Sequence, residues 1–288
     1  TSDESLIRYA QCFPDLYEVG MSHLGSHILY DVINRDQKIF CERVYAPAVD
    51  METMMREKNI PLFALESREP ITNFDVIAFT LQYELSYTNI LNMLDLANVP
   101  ILRTERKLDD PFILVGGPCA YNVEPMADFV DIVVLGEGEE VNLEILNAYK
   151  EWKKNKTTRE DFLYQISSIE GVYIPSFYDV TYNEDNTVKE VVPNRENIPS
   201  KPHKRIIKDV ENVPYPEKLI VPFIDTVHNR VVLELFRGCT RGCRFCQAGM
   251  IYRPIREKSV ERLKEIVDKL VKSTGYDEIS LSSLSTSS

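Results

Sequence analysis

The chain has 288 residues, 44% of them hydrophobic, a net charge of −12 and six cysteines. That length holds about two domains, and no run approaches the ~18 consecutive apolar residues of a membrane-spanning helix. The acidic balance argues against broad nucleic-acid affinity, which needs clustered Lys and Arg; the uneven cysteine spacing fits a reducing compartment, the cytoplasm.

The N-terminal "TSDESLIRYA" has neither a basic patch nor an apolar signal core. "LIRYAQCF" (6–13) predicts a buried strand and "HLGSHILYDVIN" (23–34) a helix. "FCERVYAP" (40–47) predicts a second strand, followed by a helix over "MMREKN". The continuous apolar runs "DVIAFTL" (75–81), "PFILVGG" (111–117) and "DIVVLG" (131–136) are strands of the kind buried on both faces of a parallel sheet. "YTNILNMLDLAN" (87–98) and "EEVNLEILNAYKEW" (139–152) supply helices between and after them. This alternation predicts a doubly wound α/β sheet over residues 1–153, with ligands beyond the carboxyl ends of its strands.

Residues 154–225 change character. "GVYIPSFYDVTYNEDNTVKEVVP" predicts a hairpin with strands near 172–182 and 187–193, turned by "NEDN". A Pro-rich stretch follows and reads as a linker over the surface. The basic stretches "KPHKRIIK" (201–208) and "YRPIREK" (252–258) read as solvated surface. A third unit, 226–288, opens with the strand "RVVLELF", passes through a cysteine-rich loop, and continues into an amphipathic helix over 259–275 stopped by Gly275. "EISLSS" begins another strand. The chain starts without Met and stops just after this segment, and reads as a fragment.

The loop "FRGCTRGCRFCQAG" places Cys239, Cys243 and Cys246 in C-x3-C-x2-C spacing. Three thiolates hold three corners of an iron–sulfur cluster and leave one iron open, whereas four would close it. An open position is what separates a catalytic metal site from a structural one. Zinc is the main alternative, although none of the four histidines lies within a few residues of the triplet. A disulfide would leave one of the three cysteines unpaired.

"CTRGCRFC", with Phe245 before the third cysteine, resembles the signature of the radical S-adenosylmethionine (SAM) superfamily. The resemblance implies a [4Fe–4S] cluster on Cys239, Cys243 and Cys246 and SAM chelated to the open iron. It implies reductive cleavage to a 5′-deoxyadenosyl radical, Phe245 near the adenine, and an external electron donor of the flavodoxin or ferredoxin type. It further implies a partial (β/α)6 TIM-type barrel, of which only the first βα unit is present, so that the fragment is expected to be inactive alone. Ser282 and Ser283 stand where many such proteins hold the methionine ammonium of SAM.

"GGP…EP…D-x-V-V-x-GEGE" resembles the N-terminal Rossmann-like domain of the cobalamin-dependent members; together with "PDLYEVGMSHLG" and the tail "EISLSSLSTS", it resembles one subgroup of them. Those domains often carry D-x-H-x-x-G, whose His ligates cobalt; here Asp15, Tyr17 and Gly20 read D-x-Y-x-x-G. A neutral phenol is a poor donor, and the free phenol pKa is near ~10. Any cobalamin here is therefore expected to lack histidine ligation; His23 and His27 read as core or surface residues. The resemblance places Thr80, Gly116, Gly117, Gly136, Glu137, Gly138 and Glu139 at the same cofactor, Thr80 by a weak match to S-x-L. "GEGE" is not G-x-G-x-x-G and does not predict NAD binding.

Cys12, Cys41 and Cys119 read as buried free thiols. A second cluster on them would make the chain similar to methylthiotransferases, with tRNA or protein as substrate; RNA therefore stays open as a substrate class. A non-catalytic iron–sulfur or corrinoid-binding module is the reading from outside enzymology. The favoured expectation is cobalamin-dependent methyl transfer, or related radical chemistry, on a substrate the sequence does not name.

Overall fold

The computed structural model describes residues 6–285. The last three residues of the Ser-rich tail and the first five of the chain lie outside the described residues.

Six strands form the main sheet: β1 (Ile7–Phe13), β2 (Ile39–Tyr45), β3 (Val76–Thr80), β4 (Phe112–Gly116), β5 (Ile132–Val134) and β6 (Val172–Tyr173), in the order β2-β1-β3-β4-β5-β6. The first five run parallel and β6 closes the edge antiparallel to β5. Val76 to Phe79, Phe112 to Val115 and all of β5 are buried without alternation, because helices cover both faces. Those helices are α1 (Tyr17–Gly20), α2 (Leu24–Asn34), α3 (Val49–Glu57), α4 (Tyr87–Leu96), α5 (Gly138–Asn155) and α6 (Arg159–Ile166). Strand order reverses between β1 and β3, so the loops after these two strands part and leave a crevice.

The predicted strand 172–182 is two strands. Val172 and Tyr173 join the main sheet, a 3₁₀ turn at Pro175–Phe177 breaks the run, and β7 (Tyr178–Tyr182) then pairs with β8 (Val188–Pro193). Pro175 accounts for the break, since its ring fixes φ and its nitrogen carries no donor. The main sheet therefore extends past residue 153, and α6, capped by the reciprocal Thr158–Asp161 box, lies between α5 and β6 in the chain.

The Pro-rich stretch contains no helix or strand among the described residues, yet it does not simply cover the surface. Ile207, Val210, Val213 and Tyr215 are buried. Its Arg205 backbone bonds Leu135 O and Glu137 N at 2.8 and 3.1 Å, prolonging the β5 edge. Gly136 makes this approach feasible: φ is +100°, and a Cβ there would lie 2.1 Å from Arg205 O.

The C-terminal unit holds β9 (Val231–Glu234), the short ladder β10 (Phe236–Arg237) with β11 (Arg256–Glu257), α7 (Ala248–Ile251), α8 (Val260–Thr274) and β12 (Ile279–Ser282). β9 and β12 pair in parallel across α8, one βαβ unit. Ser259 caps α8 and Gly275, at φ +74°, ends it. Ile28 and Val32 on α2 form one core with Tyr215, Val231, Leu233, Ile266 and Leu270, so α2 lies between the main sheet and the C-terminal unit. Each such buried aliphatic side chain contributes about 1.5–3 kcal/mol, which makes the contact between the units a packed one.

Candidate functional site

The crevice opens into a cavity of about 710 Å³, a size suited to a cofactor or drug-sized ligand. Its floor is the carboxyl ends of the strands: Gln11 and Cys12 from β1, Phe79 and Thr80 from β3, Gly116 and Gly117 after β4. Ser22 to Ser26 form one wall. The facing wall comes from the C-terminal unit, with Val232, Glu234, Arg237, Gly238, Tyr252 and Ser280 to Leu284.

Several residues singled out in the sequence meet here: Thr80, Gly116, Gly117, Gly136, Glu137, Gly138, Glu139, Ser282 and Ser283 all line the cavity. Gly117 sits at φ +103°, and a Cβ would come within 2.8 Å of Leu81 O. The tight approach that requires glycine is thus to the neighbouring strand end, held by Leu81 N to Gly116 O at 2.6 Å and Cys119 N to Leu81 O at 3.0 Å. Asp15, Tyr17 and Gly20 are not among the lining residues. Tyr17 instead packs edge-on against Tyr45, and its hydroxyl accepts from Phe223 N at 3.4 Å. Asp15 accepts from Leu16 N and from the Tyr83 hydroxyl.

His23 takes the place on the cavity wall that the D-x-Y-x-x-G reading gave to Tyr17. It caps α2, its Nδ1 accepting from Ser26 N at 3.1 Å. That bond leaves the proton of the neutral ring on Nε2. Burial, and then His27 beside it, lower its pKa to about 4. The unfolded chain, with an ordinary imidazole pKa near ~6.5, therefore binds more protons than the folded one between these values. Stability is expected to fall as pH drops from about 6.5 toward 4, by up to about 3 kcal/mol. Urea denaturation across this window checks it: His23→Asn, which keeps a capping side chain, should flatten the slope, and an unchanged slope would refute it.

Tyr121 supplies the opposite case. It lines the cavity, and its hydroxyl is buried with no hydrogen-bond partner among the described residues. Burial raises its pKa to about 12, so it stays a donor. A buried unsatisfied donor costs about 1–3 kcal/mol, and a ligand acceptor in the cavity would relieve it.

The cysteine loop leaves the cavity wall at Gly238. Cys239 is half-buried, Cys243 and Cys246 are exposed, all three thiols are free, and Phe245 is 93% exposed. Among the described residues, no three Cys, His, Asp or Glu side chains are gathered into a metal-binding set. The donor set still fits an iron–sulfur cluster chemically, because three accessible soft thiols share one loop and none is committed to a disulfide. Cys12, Cys41 and Cys119 are buried free thiols within the N-terminal layer, where burial pushes each thiol pKa up.

Glu137 and Glu139 were read from sequence as cofactor residues. They line the cavity, but their carboxylates are engaged by Arg237 at 3.1 and 2.6 Å, and Glu137 also meets Arg256 at 2.5 Å. The two basic stretches thus do not form the solvated faces expected of them. Arg205 holds Glu140 and Glu144, Lys204 donates to Ile251 O and Arg253 O, and Lys258, only 1% exposed in its side chain, holds Glu234. Opposing runs, "GEGEE" at 136–140 against "KPHKR" and "RPIREK", were the available signal; which side chains pair is visible only in three dimensions.

Family models give the context. One described as "Radical SAM proteins, N-terminal" matches residues 25–175, more than half of the chain, and one described as "Radical SAM superfamily" matches 233–287. The uncharacterised protein MJ0966 of Methanocaldococcus jannaschii is 28% identical over 273 residues, covering 93% of this chain and 47% of its own length. The chain thus spans about half the length of the curated relative it matches. Among solved structures, the cobalamin-dependent SAM radical enzyme OxsB, bound to aqua-cobalamin and SAM, aligns over 97% of this chain and 34% of its own, with TM-score 0.55 and 14% identity. The radical SAM methyltransferase TsrM from Kitasatospora setae, with cobalamin and a [4Fe–4S] cluster, aligns over 96% and 47%, with TM-score 0.53 and 11% identity. At these identities the likeness concerns the fold: a Rossmann-like sheet followed by radical SAM barrel elements.

Proposed function

Since the chain belongs to the radical SAM proteins, we propose that it forms the cofactor-binding part of a cobalamin-dependent radical SAM enzyme. Cys239, Cys243 and Cys246 would hold a [4Fe–4S] cluster, with SAM on its open iron and cobalamin in the cavity between the units. The observation that carries this reading is the meeting of two features: three free thiols on one loop, and a cavity of cofactor size at whose wall that loop begins. When bound, the cluster supplies the electron that cleaves SAM, and the corrinoid supplies a transferable methyl group.

The chain's own residues do the rest. The glycine turn at 116–117 and Thr80 form the floor beneath the ligand, the Tyr121 hydroxyl offers a hydrogen bond, and Ser282 and Ser283 lie on the wall continuous with the cysteine loop. His23 lines the cavity with Nδ1 committed to the helix cap and its ring bonded to the Gln82 side chain, and so serves the wall in place of a metal ligand. This supports a corrinoid held without histidine ligation. The domains follow the same reading: a cobalamin-type unit through the main sheet, a hairpin and linker, and the first βαβ unit of the barrel. An electron donor of the flavodoxin or ferredoxin type belongs to this proposal; the substrate does not follow from these residues.

Anaerobic reconstitution tests it. About four irons per chain are expected, with an EPR signal that changes on adding SAM and a visible-absorption change on titrating aquacobalamin. Tyr121→Phe should weaken corrinoid binding about five- to tenfold, as the loss of one hydrogen bond would, without destabilising the ligand-free chain. About eight irons would favour the methylthiotransferase alternative, and retained zinc, or a cluster indifferent to SAM, would overturn the proposal.

A further inference from the structure

The cysteine loop is an excursion from a very short base. It leaves at β10 and returns at β11, and their ladder is two residue pairs, Phe236 with Glu257 and Arg237 with Arg256. One of these pairs sets two cations directly opposite each other, an arrangement that destabilises a ladder. The N-terminal sheet resolves this. Glu137, from the turn after β5, places one carboxylate oxygen 3.1 Å from Arg237 Nη1 and the other 2.5 Å from Arg256 Nη1. It also accepts from Ile207 N at 2.6 Å, which ties in the linker.

Glu139 adds a second carboxylate to Arg237 at 2.6 Å, and Glu234 a third at 3.1 Å while holding Lys258 at 2.7 Å. Three carboxylates thus balance Arg237, Arg256 and Lys258 in a group whose side chains are 1 to 19% exposed. Asn142 fixes the turn from behind: it donates to Gly138 O at 2.7 Å and accepts from the Tyr9 hydroxyl at 3.1 Å, anchoring the start of α5 to β1. At the loop's first residue, Gly238, a Cβ would meet Pro254 O at 2.5 Å, so the two ends of the excursion are in contact.

We propose that Glu137, supported by Glu139, is a positioning residue for the cysteine loop: it closes the loop's base by neutralising the facing Arg237 and Arg256. The N-terminal sheet thereby sets where the three thiols sit relative to the cavity. The acidic turn is a latch between the units as well as part of the cavity wall. The inference concerns the loop to which the proposed function assigns the cluster, but its test is made on metal-free protein, so the two stand or fall separately.

Hydrogen exchange on the whole metal-free chain provides that test. Protection of amides reports local opening. In Glu137→Gln, amides of 235–258 are expected to exchange about tenfold or more faster, while β1 to β5 stay within about twofold of wild type. Glu140→Gln, the same charge change three positions after Glu137 but directed at Arg205, should leave 235–258 unchanged. Adding Arg256→Met to Glu137→Gln should restore protection to within about threefold, because the repulsion is then gone. Unchanged exchange in Glu137→Gln, equal loss across the main sheet, or no rescue by Arg256→Met would each overturn the proposal. In reconstituted protein, a shifted EPR line shape in Glu137→Gln at unchanged iron content is the corresponding signature; failure of wild type to take up iron would overturn the functional reading and leave the exchange result intact.

Discussion

Replacing Cys243 with alanine is expected to abolish cluster formation, from about four irons per chain to fewer than about one, while leaving the urea midpoint of the metal-free chain unchanged. The two halves of this result have separate causes. Cys243 is exposed, so its truncation opens no cavity. A three-thiolate cluster has no spare protein ligand, so losing one leaves two iron corners open. The same loss of iron is expected for Cys246→Ala and for the half-buried Cys239→Ala. Cys12→Ala supplies the contrast: that residue is buried in β1 at 1% exposure, and its loss should lower stability with iron content retained. Anaerobic iron analysis, with the brown absorbance as a second readout, decides it. A chromophore that survives any of the three loop substitutions would refute the ligand assignment.

Asp131→Ala is expected to cause the largest loss of stability, about 3–5 kcal/mol, the cost of breaking a buried ion pair on one side. Asp131 heads β5 and is 5% exposed. Its Oδ2 accepts from Arg106 Nη1 at 2.9 Å, Arg159 Nη2 at 3.1 Å and Ile113 N at 2.8 Å. The Arg106 side chain is fully buried, and its other bonds run to the carbonyls of Pro100, Ile101 and Phe129. Arg159 meanwhile lies 3.8 Å over the Phe112 ring. Without the carboxylate, the two cations would lose their closest counter-charge, leaving Arg106 hydrogen-bonded to neutral carbonyls. Single domains are stable by about 5–15 kcal/mol in total, so the loss should be plain in a urea titration; a change below about 1 kcal/mol would show that the site relaxes or hydrates. Asp131→Asn, which keeps one acceptor oxygen, should fall between.

These two residues mark how differently parts of the molecule could be read from sequence. Cys243 was legible because a cluster ligand depends on local spacing, and C-x3-C-x2-C lies within one short loop. Asp131 stood inside the "D-x-V-V-x-GEGE" string, whose resemblance points to a cofactor domain, yet its side chain serves the core. Its partners Arg106 and Arg159 are 25 and 28 residues away, and no local pattern couples them. The hairpin at 172–182 divides for a related reason: its apolar run has the right period for a strand, but pairing with β5 or with β8 is a choice among distant partners.

The sequence by itself determined the parallel-sheet layer, because unbroken apolar strands alternating with amphipathic helices have few other ways to bury their surface. It also determined the chemical character of the cysteine loop, since thiol spacing is a local property. Only the tertiary structure decided which residues face the cavity, moving Tyr17 onto Tyr45 and bringing His23 and Tyr121 in. It alone decided that the basic stretches and the acidic turn form one interdomain group. Electrostatic pairing acts through space across 100 or more residues of chain, from Glu137 to Arg237 and Arg256, and charge runs are silent about partners until the fold has removed the water between them.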